Sequence, residues 1–299
     1  LSLASQAVRL LLRITAKRPA QAALASPRFL QVVRRSFNRG ALAFSRPSRG
    51  VTVERIAAPG VDGEWLIPTN ADPSSTIVYI HGGGFIACDA AGYRTLTSSL
   101  ARATGMRVAA LNYPLAPEHP YPAALESLVA AYAALRSAYP AIEHVLVAGD
   151  SAGGNLALAT ALALRDHDGA PDGLVLFSPW LDLHGQSRSM RENRASDDVV
   201  VFDPDHRLAR AYAAGRALDD PAVSPLFANL RGLPRTYITA STIEMLRDDA
   251  ISFEERARAS GVDVRLRLVD GVPHVWPLFR FLPESRSSLA EVRTFAHGS

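Results

Sequence analysis

Between residues 51 and 269 short apolar runs alternate with longer amphipathic stretches. The runs IVYI (77–80), VAAL (108–111), VLVA (145–148) and LVLF (174–177) are continuously apolar, and YITA (237–240) is broken by a single Thr239. Strands covered on both faces have that pattern, whereas half-exposed strands alternate. Helical stretches are expected near 93–104, 123–137 and 247–259, and along the Ala/Leu-rich segment after residue 154. Strands and helices in this order predict an α/β fold with a mostly parallel sheet between helices. The first two strands, VTVERIA (51–57) and GEWLIP (63–68), flank the turn Pro59-Gly60-Val61-Asp62-Gly63 and read as antiparallel.

Two segments break the alternation. Near the start, Leu3, Ala7, Leu10, Leu11 and Ile14 fall on one helical face and Arg9, Arg13 and Lys17 on another. The expected arrangement is an amphipathic helix laid across the main domain, since so short a helix does not stand alone in water. A second helical stretch runs near 21–37 around Pro27, followed by a linker over 40–50. Residues 184–220 are polar, rich in Arg and Asp, with a helix expected near 205–217. The division predicted is 1–49 as N-terminal cap helices, 50–183 with 221–299 as the core, and 184–220 as a cap insertion.

Charge sharpens this picture. Residues 1–50 hold ten Lys or Arg and no Asp or Glu, leaving 22 basic against 29 acidic residues beyond them. A basic tail beside an acidic body favours contact with an acidic face of the same chain over an anionic membrane surface. Nothing in the chain has the form of a nucleic-acid module. No apolar run reaches membrane-spanning length, which excludes integral membrane association. The opening residues are too broken by Arg9, Arg13 and Lys17 for a secretory signal core, so a cytoplasmic location is expected. A lone Cys88 excludes an internal disulfide, and no Cys/His cluster has zinc-ligand spacing. Neither a metal nor a cofactor is expected, and a homodimer stays open.

The candidate chemistry centres on VLVAGDSAGGNLAL (145–158), where a strand, Gly149-Asp150-Ser151-Ala152-Gly153 and a helix follow one another. This is the setting of a nucleophile elbow, with the serine at a sharp strand-to-helix turn above a helix N-terminus. Upstream, His81-Gly82-Gly83-Gly84-Phe85 ends a strand, and its glycines free backbone amides for an oxyanion. Among eight histidines, His274 follows the last strand in VDGVPHVWP, at a strand's C-terminal end where sites assemble. His144, His167 and His297 sit at element margins, and His119 lies in the proline-rich turn APEHPYP. Glu244, Asp248 and Asp249 compete as the acid. Glu244 occupies the strand-to-helix loop and is preferred, because the other two fall in a helix whose first turn welcomes acids anyway. Phe85, Ile86, Trp180 and Trp276 lie near predicted loop ends and suggest an apolar substrate pocket.

HGGGF, GDSAGG and PHVW, with NYPLAPEHPYPAALE between the first two, resemble the hormone-sensitive-lipase-like carboxylesterases of the α/β-hydrolase superfamily. The resemblance covers roughly residues 50–299. It implies an eight-stranded sheet under a helical cap, Ser151 as nucleophile, His274 as base, and Gly83, Gly84 and Ala152 as oxyanion amides. Where the family usually has Asp-Pro-Leu-x-Asp, this chain has Glu244-Met245-Leu246-Arg247-Asp248. The reaction implied is hydrolysis of small to medium apolar carboxylic esters through an acyl-serine. Lactones are the alternative substrate, because relatives with Glu at the acid position include lactone hydrolases. Amide hydrolysis and non-catalytic ligand binding are the remaining readings.

Overall fold

The continuous apolar runs form the middle of one sheet. The structure, a computed structural model, describes residues 2–167 and 169–298. Its eight strands are β1 (Val51–Arg55), β2 (Gly63–Pro68), β3 (Asp72–Ile80), β4 (Met106–Leu111), β5 (His144–Asp150), β6 (Gly173–Phe177), β7 (Thr236–Ser241) and β8 (Val264–Val269). They lie in the order β1-β2-β4-β3-β5-β6-β7-β8. β2 runs antiparallel to both β1 and β4, and every later pairing is parallel. The chain winds outward in opposite directions from β3 and β5, so the crevice beyond their C-terminal ends is the topological switch point where ligands bind in such sheets. Both candidate loops, HGGG after β3 and GDSAG after β5, open into that crevice. Ile80 pairs directly with Gly149 there.

The helices before the sheet are α1 (Leu3–Leu12), α2 (Arg18–Ala22) and α3 (Phe29–Leu42), with a π-helical turn at Arg13–Lys17 joining the first two. Helices α4 (Arg94–Thr104), α5 (Ala123–Ala138) and α6 (Ser151–Leu164) follow. Later come α7 (Arg188–Glu192), α8 (Arg207–Ala213), α9 (Arg247–Ala259) and α10 (Pro283–Ala296). Alternate strand residues enter two cores. Val78 and Ile80 pack with Leu128 of α5, Leu156 of α6 and Phe253 of α9. Ile77 and Tyr79 pack with Leu96 of α4 and Val292 of α10 on the opposite face. Helix α10 was not anticipated from the sequence. Where a linker was expected from residue 40, α3 instead runs on to Leu42. The helix expected over 205–217 is shorter, with Ala214 in a left-handed conformation ending it.

Helix α1 is amphipathic as expected, and its basic face meets a carboxylate of the same chain, as the charge balance favoured, while its apolar face lies outside. Leu3, Leu10, Leu11 and Ile14 are 82%, 61%, 57% and 49% exposed, while Ser5, Val8 and Lys17 are buried. The inward face is the basic one. Arg9 Nε donates to Asp198 Oδ2 at 2.6 Å, and Arg13 donates to the other carboxylate oxygen. Lys17 Nζ donates to the carbonyls of Arg194, at 2.6 Å, and of Asp197. The Asp198 carboxyl group is fully enclosed, and a buried charge stripped of its partner costs about 3–5 kcal/mol. That demand orients the helix. Leaving large apolar side chains outside forgoes roughly 1.5–3 kcal/mol each, and nothing else among the described residues covers them. Among the described residues no helix is long and apolar enough to cross a membrane.

Candidate active site

The elbow is built by close backbone approach. β5 ends at Asp150 and α6 begins at Ser151, whose φ of +51° is left-handed. A Cβ at Gly153 would lie 2.3 Å from the carbonyl oxygens of both Ile80 and His81. Only glycine lets the first turn of α6 press against the end of β3. The strained turn lifts the Ser151 side chain above the sheet, and its hydroxyl is unpaired among the described residues. Ala152, next along the chain, is buried.

The glycine loop is pinned from below by Asp150. Gly82 N–H and Tyr79 OH donate to its Oδ1 at 3.0 and 2.8 Å, and Tyr93 OH donates to its Oδ2 at 2.9 Å. Burial pushes this carboxyl up to about 6, against the lowering effect of those three donors. Tyr113 OH donates to the His81 carbonyl at 2.8 Å, and its ring stacks on the imidazole at 4.4 Å. Burial takes His81 down to about 4, so its ring is neutral at physiological pH and serves as packing. Gly83, at φ +115°, could not carry a side chain, because a Cβ would lie 2.3 Å from Ala87 O. Gly83 and Gly84 thereby face the cavity with backbone alone.

His274 stands on the loop after β8, almost fully buried. Its Nδ1 lies 2.7 Å from Glu244 Oε2, so Nδ1 carries the proton and donates a hydrogen bond to the carboxylate, leaving Nε2 as the accepting nitrogen. The other oxygen, Glu244 Oε1, accepts from Ser241 N–H at 2.9 Å. Burial on its own would lower His274. The Glu244 hydrogen bond and the charges of Glu244, Asp197 and Asp150 outweigh it and raise the imidazole above its ordinary value. The competing acids are engaged elsewhere. Asp248 accepts from Ser189 N–H at 2.7 Å and pairs with Arg247, while Asp249 accepts from Leu181 and Asp182 N–H.

The loop carrying Glu244 is held by residues that the sequence reading did not single out. Asn193 Nδ2 donates to the carbonyls of Thr242 and Glu244 at 3.1 and 2.8 Å, and Ser196 Oγ donates to Ile243 O at 2.9 Å. Asp197 Oδ2 accepts from Met245 N–H at 2.8 Å, while its Oδ1 accepts from Val199 and Val200 N–H. Burial raises the Asp197 carboxyl. These residues lie some fifty positions before Glu244, with no local motif to announce them. The one available signal was an Asp-Asp pair directly before the apolar run VVVF (199–202).

Ser151, His274, Gly83, Gly84 and Trp180 all border one cavity of about 810 Å³. Its upper wall is apolar, with Leu12, Phe29 and Phe37 from the N-terminal helices and Phe202 and Leu208 from the segment before β7. Three of the four expected pocket residues lie elsewhere. Phe85 turns away and stacks on Tyr212, with 4.0 Å between ring centres. Trp276 is completely buried beside Val272 and Leu282, its Nε1 donating to Ser288 Oγ at 3.1 Å. Ile86 is likewise core rather than wall. A loop-end position did not reveal direction, because each of these side chains follows a backbone turn. His144 pairs with Asp172, and His297 Nε2 lies 2.8 Å from Thr104 O. Among the described residues no cluster of three His, Cys, Asp or Glu could hold a metal ion.

Residues 77–278 match the Abhydrolase_3 family, described as an alpha/beta hydrolase fold. An esterase of Acinetobacter venetianus is 37% identical over 253 residues, covering 82% of each chain. An acetyl-hydrolase of Streptomyces hygroscopicus is 36% identical over 251 residues, covering 83% of this chain and 82% of the relative. The crystal structure of an esterase from the bacterial hormone-sensitive lipase family superposes with a TM-score of 0.88. It is 34% identical and covers 99% of this chain and 98% of its own.

Proposed function

Because the chain belongs to the hormone-sensitive-lipase type of α/β hydrolases and is a carboxylic ester hydrolase, we propose that Ser151, His274 and Glu244 carry its reaction. The Ser151 oxygen attacks the ester carbonyl carbon while His274 Nε2 takes the hydroxyl proton. The carbonyl electrons move onto oxygen, and the N–H groups of Gly83, Gly84 and Ala152 donate hydrogen bonds to the resulting oxyanion. The tetrahedral centre collapses, the alcohol leaves with the proton held by His274, and an acyl-serine remains. Water repeats the attack, is deprotonated by the same imidazole, and releases the carboxylic acid and free Ser151. Glu244 holds the Nδ1 tautomer and stabilises the imidazolium without taking the proton.

The observation that carries this reading is the 2.7 Å contact between Glu244 and His274 beside a cavity that Ser151 also borders. Apolar cap walls favour acyl groups of modest size, and the name of the acetyl-hydrolase relative supports the short end of that range. Residues 1–49 and 184–220 together form the cap in this proposal, over a core of 50–183 and 221–299. The test is labelling with a fluorophosphonate, peptide mapping, and turnover of p-nitrophenyl esters. The label is expected on Ser151, with loss of turnover in proportion. Labelling at another residue, or turnover that survives complete Ser151 labelling, would sink the assignment. Lactones and amides matched to the best ester are the comparison substrates, and a lactone turned over faster than its open-chain ester would shift the substrate class.

A further inference from the structure

One face of the N-terminal helices has no partner among the described residues. Leu3, Leu10, Leu11 and Ile14 follow helical spacing along α1 and the π-helical turn after it, and all four are exposed. Arg18 continues their stripe one turn beyond Ile14. On α3, Arg35, Arg39 and Leu42 recur at helical spacing, with Leu42 73% exposed. Leu11, Arg35 and Arg39 also border the cavity that reaches Ser151, so this face surrounds its mouth.

The cations on that side are in excess. Of the ten in residues 1–50, Arg9, Arg13 and Arg34 meet carboxylates and Lys17 meets carbonyls. Arg18, Arg28, Arg35, Arg39, Arg46 and Arg49 are exposed, and their side chains have no partner among the described residues. No acid lies within the segment to neutralise them. Asp203, a carboxylate that borders the same cavity, is already paired with Arg207.

We propose that this face docks on an anionic lipid bilayer and that the ester substrate enters the cavity from that surface. The docking rests on the surface alone, while delivery of an ester rests on the hydrolase reading above. An apolar helix face flanked by unpaired arginines is complementary to a bilayer interface, which offers hydrocarbon to the leucines and anionic headgroups to the guanidinium groups. A second copy of the chain fits poorly, because a two-fold contact would bring these like-charged faces together. The ion pairs to Asp198 hold α1 with its apolar side outward before any surface is met.

Flotation of the full chain with vesicles tests the docking. The chain is expected to float with vesicles of phosphatidylcholine and phosphatidylglycerol, to stay behind with phosphatidylcholine alone, and to be released as salt rises to about 0.5 M. Leu3→Ser/Leu10→Ser/Ile14→Ser is expected to weaken partitioning by about 100-fold, and Arg18→Glu by about 10-fold. None of these four side chains borders the cavity, so hydrolysis of p-nitrophenyl butyrate in solution stays within about twofold. Circular dichroism checks folding, and if the triple variant fails to fold, Arg18→Glu and the salt series decide. A long-chain p-nitrophenyl ester carried in the anionic vesicles is expected to turn over faster than the same ester in neutral ones. No binding to anionic vesicles, or equal binding to both compositions, overturns the proposal. So does a dimer that the triple variant dissociates without vesicle binding, which would give the face to a second copy. Loss of solution hydrolysis in the wild-type chain would count against the hydrolase reading instead, leaving the flotation result to judge docking.

Discussion

The sheet core and the first helix obey the same physics and reach opposite outcomes. In β3 and β5 the apolar side chains point where periodicity sends them, into cores on both faces. In α1 the apolar stripe faces outward and the charged stripe faces in. A central strand has no choice, since both its faces are covered and any polar alternate would be stranded. A helix on the rim can rotate, and its strongest local interaction decides. For α1 that interaction is an enclosed Asp198, which Arg9 and Arg13 pair. Hydrophobic pattern therefore locates the faces of a peripheral helix without saying which one is buried.

The two regions also support the catalytic groups differently. The elbow and glycine loop rest on backbone contact tight enough to require Gly153 and Gly83. The acid loop rests on side chains of the segment before β7, through Asn193, Ser196 and Asp197. If this contrast holds, changes in the core act on chemistry and those in the cap act on local stability and on pH dependence. The largest expected effect is that of Ser151→Ala, which lowers kcat by roughly 10^4-fold or more and abolishes fluorophosphonate labelling while the fold persists.

Glu244→Gln follows, with a loss of about 10^3- to 10^4-fold in kcat, because the amide stabilises the wrong imidazole tautomer. Asp248→Asn, measured beside it, is expected to stay within about fivefold, since Asp248 serves Ser189 and Arg247 instead. Equal losses in the two would return the choice of acid to an open question. Gly153→Ala is expected to lower unfolding free energy by about 3 kcal/mol or prevent folding, as seen in denaturant titration, because the new Cβ meets two carbonyl oxygens of the chain. Asp198→Ala should act more locally. Freed from both arginines, residues 3–22 are expected to exchange amide hydrogens faster, with a global cost of about 1–2 kcal/mol after allowance for the partly exposed Arg13.

The smallest expected effect is on pH dependence. His274 is raised above 6.5, so the neutral imidazole proposed to accept the Ser151 proton appears only as pH climbs through that raised value. The rate is expected to rise with pH through a midpoint above 6.5. Pairing between protonated His274 and Glu244 stabilises the fold fully below 6.5, and that contribution fades over the same rise. Asp197→Asn removes one of the charges that raise His274 and is expected to lower the kcat/KM midpoint. An unchanged midpoint would reduce Asp197 to a peg for Met245 N–H.

Much of the site was legible because its signals are local. A glycine two residues either side of Ser151 announces a crowded turn wherever the flanking strand and helix are readable. Three consecutive glycines after a strand announce amides left open to a ligand. His274 and Glu244 were found by their positions after strands, which topology carries to one edge of the sheet. Phe85 and Trp276 were misjudged because being near a loop end says nothing about side-chain direction.

By itself, then, the sequence determined which segments become strands and helices, and that Ser151, His274 and an acid near residue 244 gather at the strands' C-terminal ends. Those features depend on neighbours within a few residues, or on the alternation of strand and helix. Only the tertiary structure decided that Glu244 rather than Asp248 or Asp249 touches His274, that Asp197 braces its loop, and that α1 shows its leucines to the outside. Each of these depends on charges and hydrogen-bonding groups brought together from distant parts of the chain, where pairing a buried carboxylate outweighs the hydrophobic pattern of a single helix.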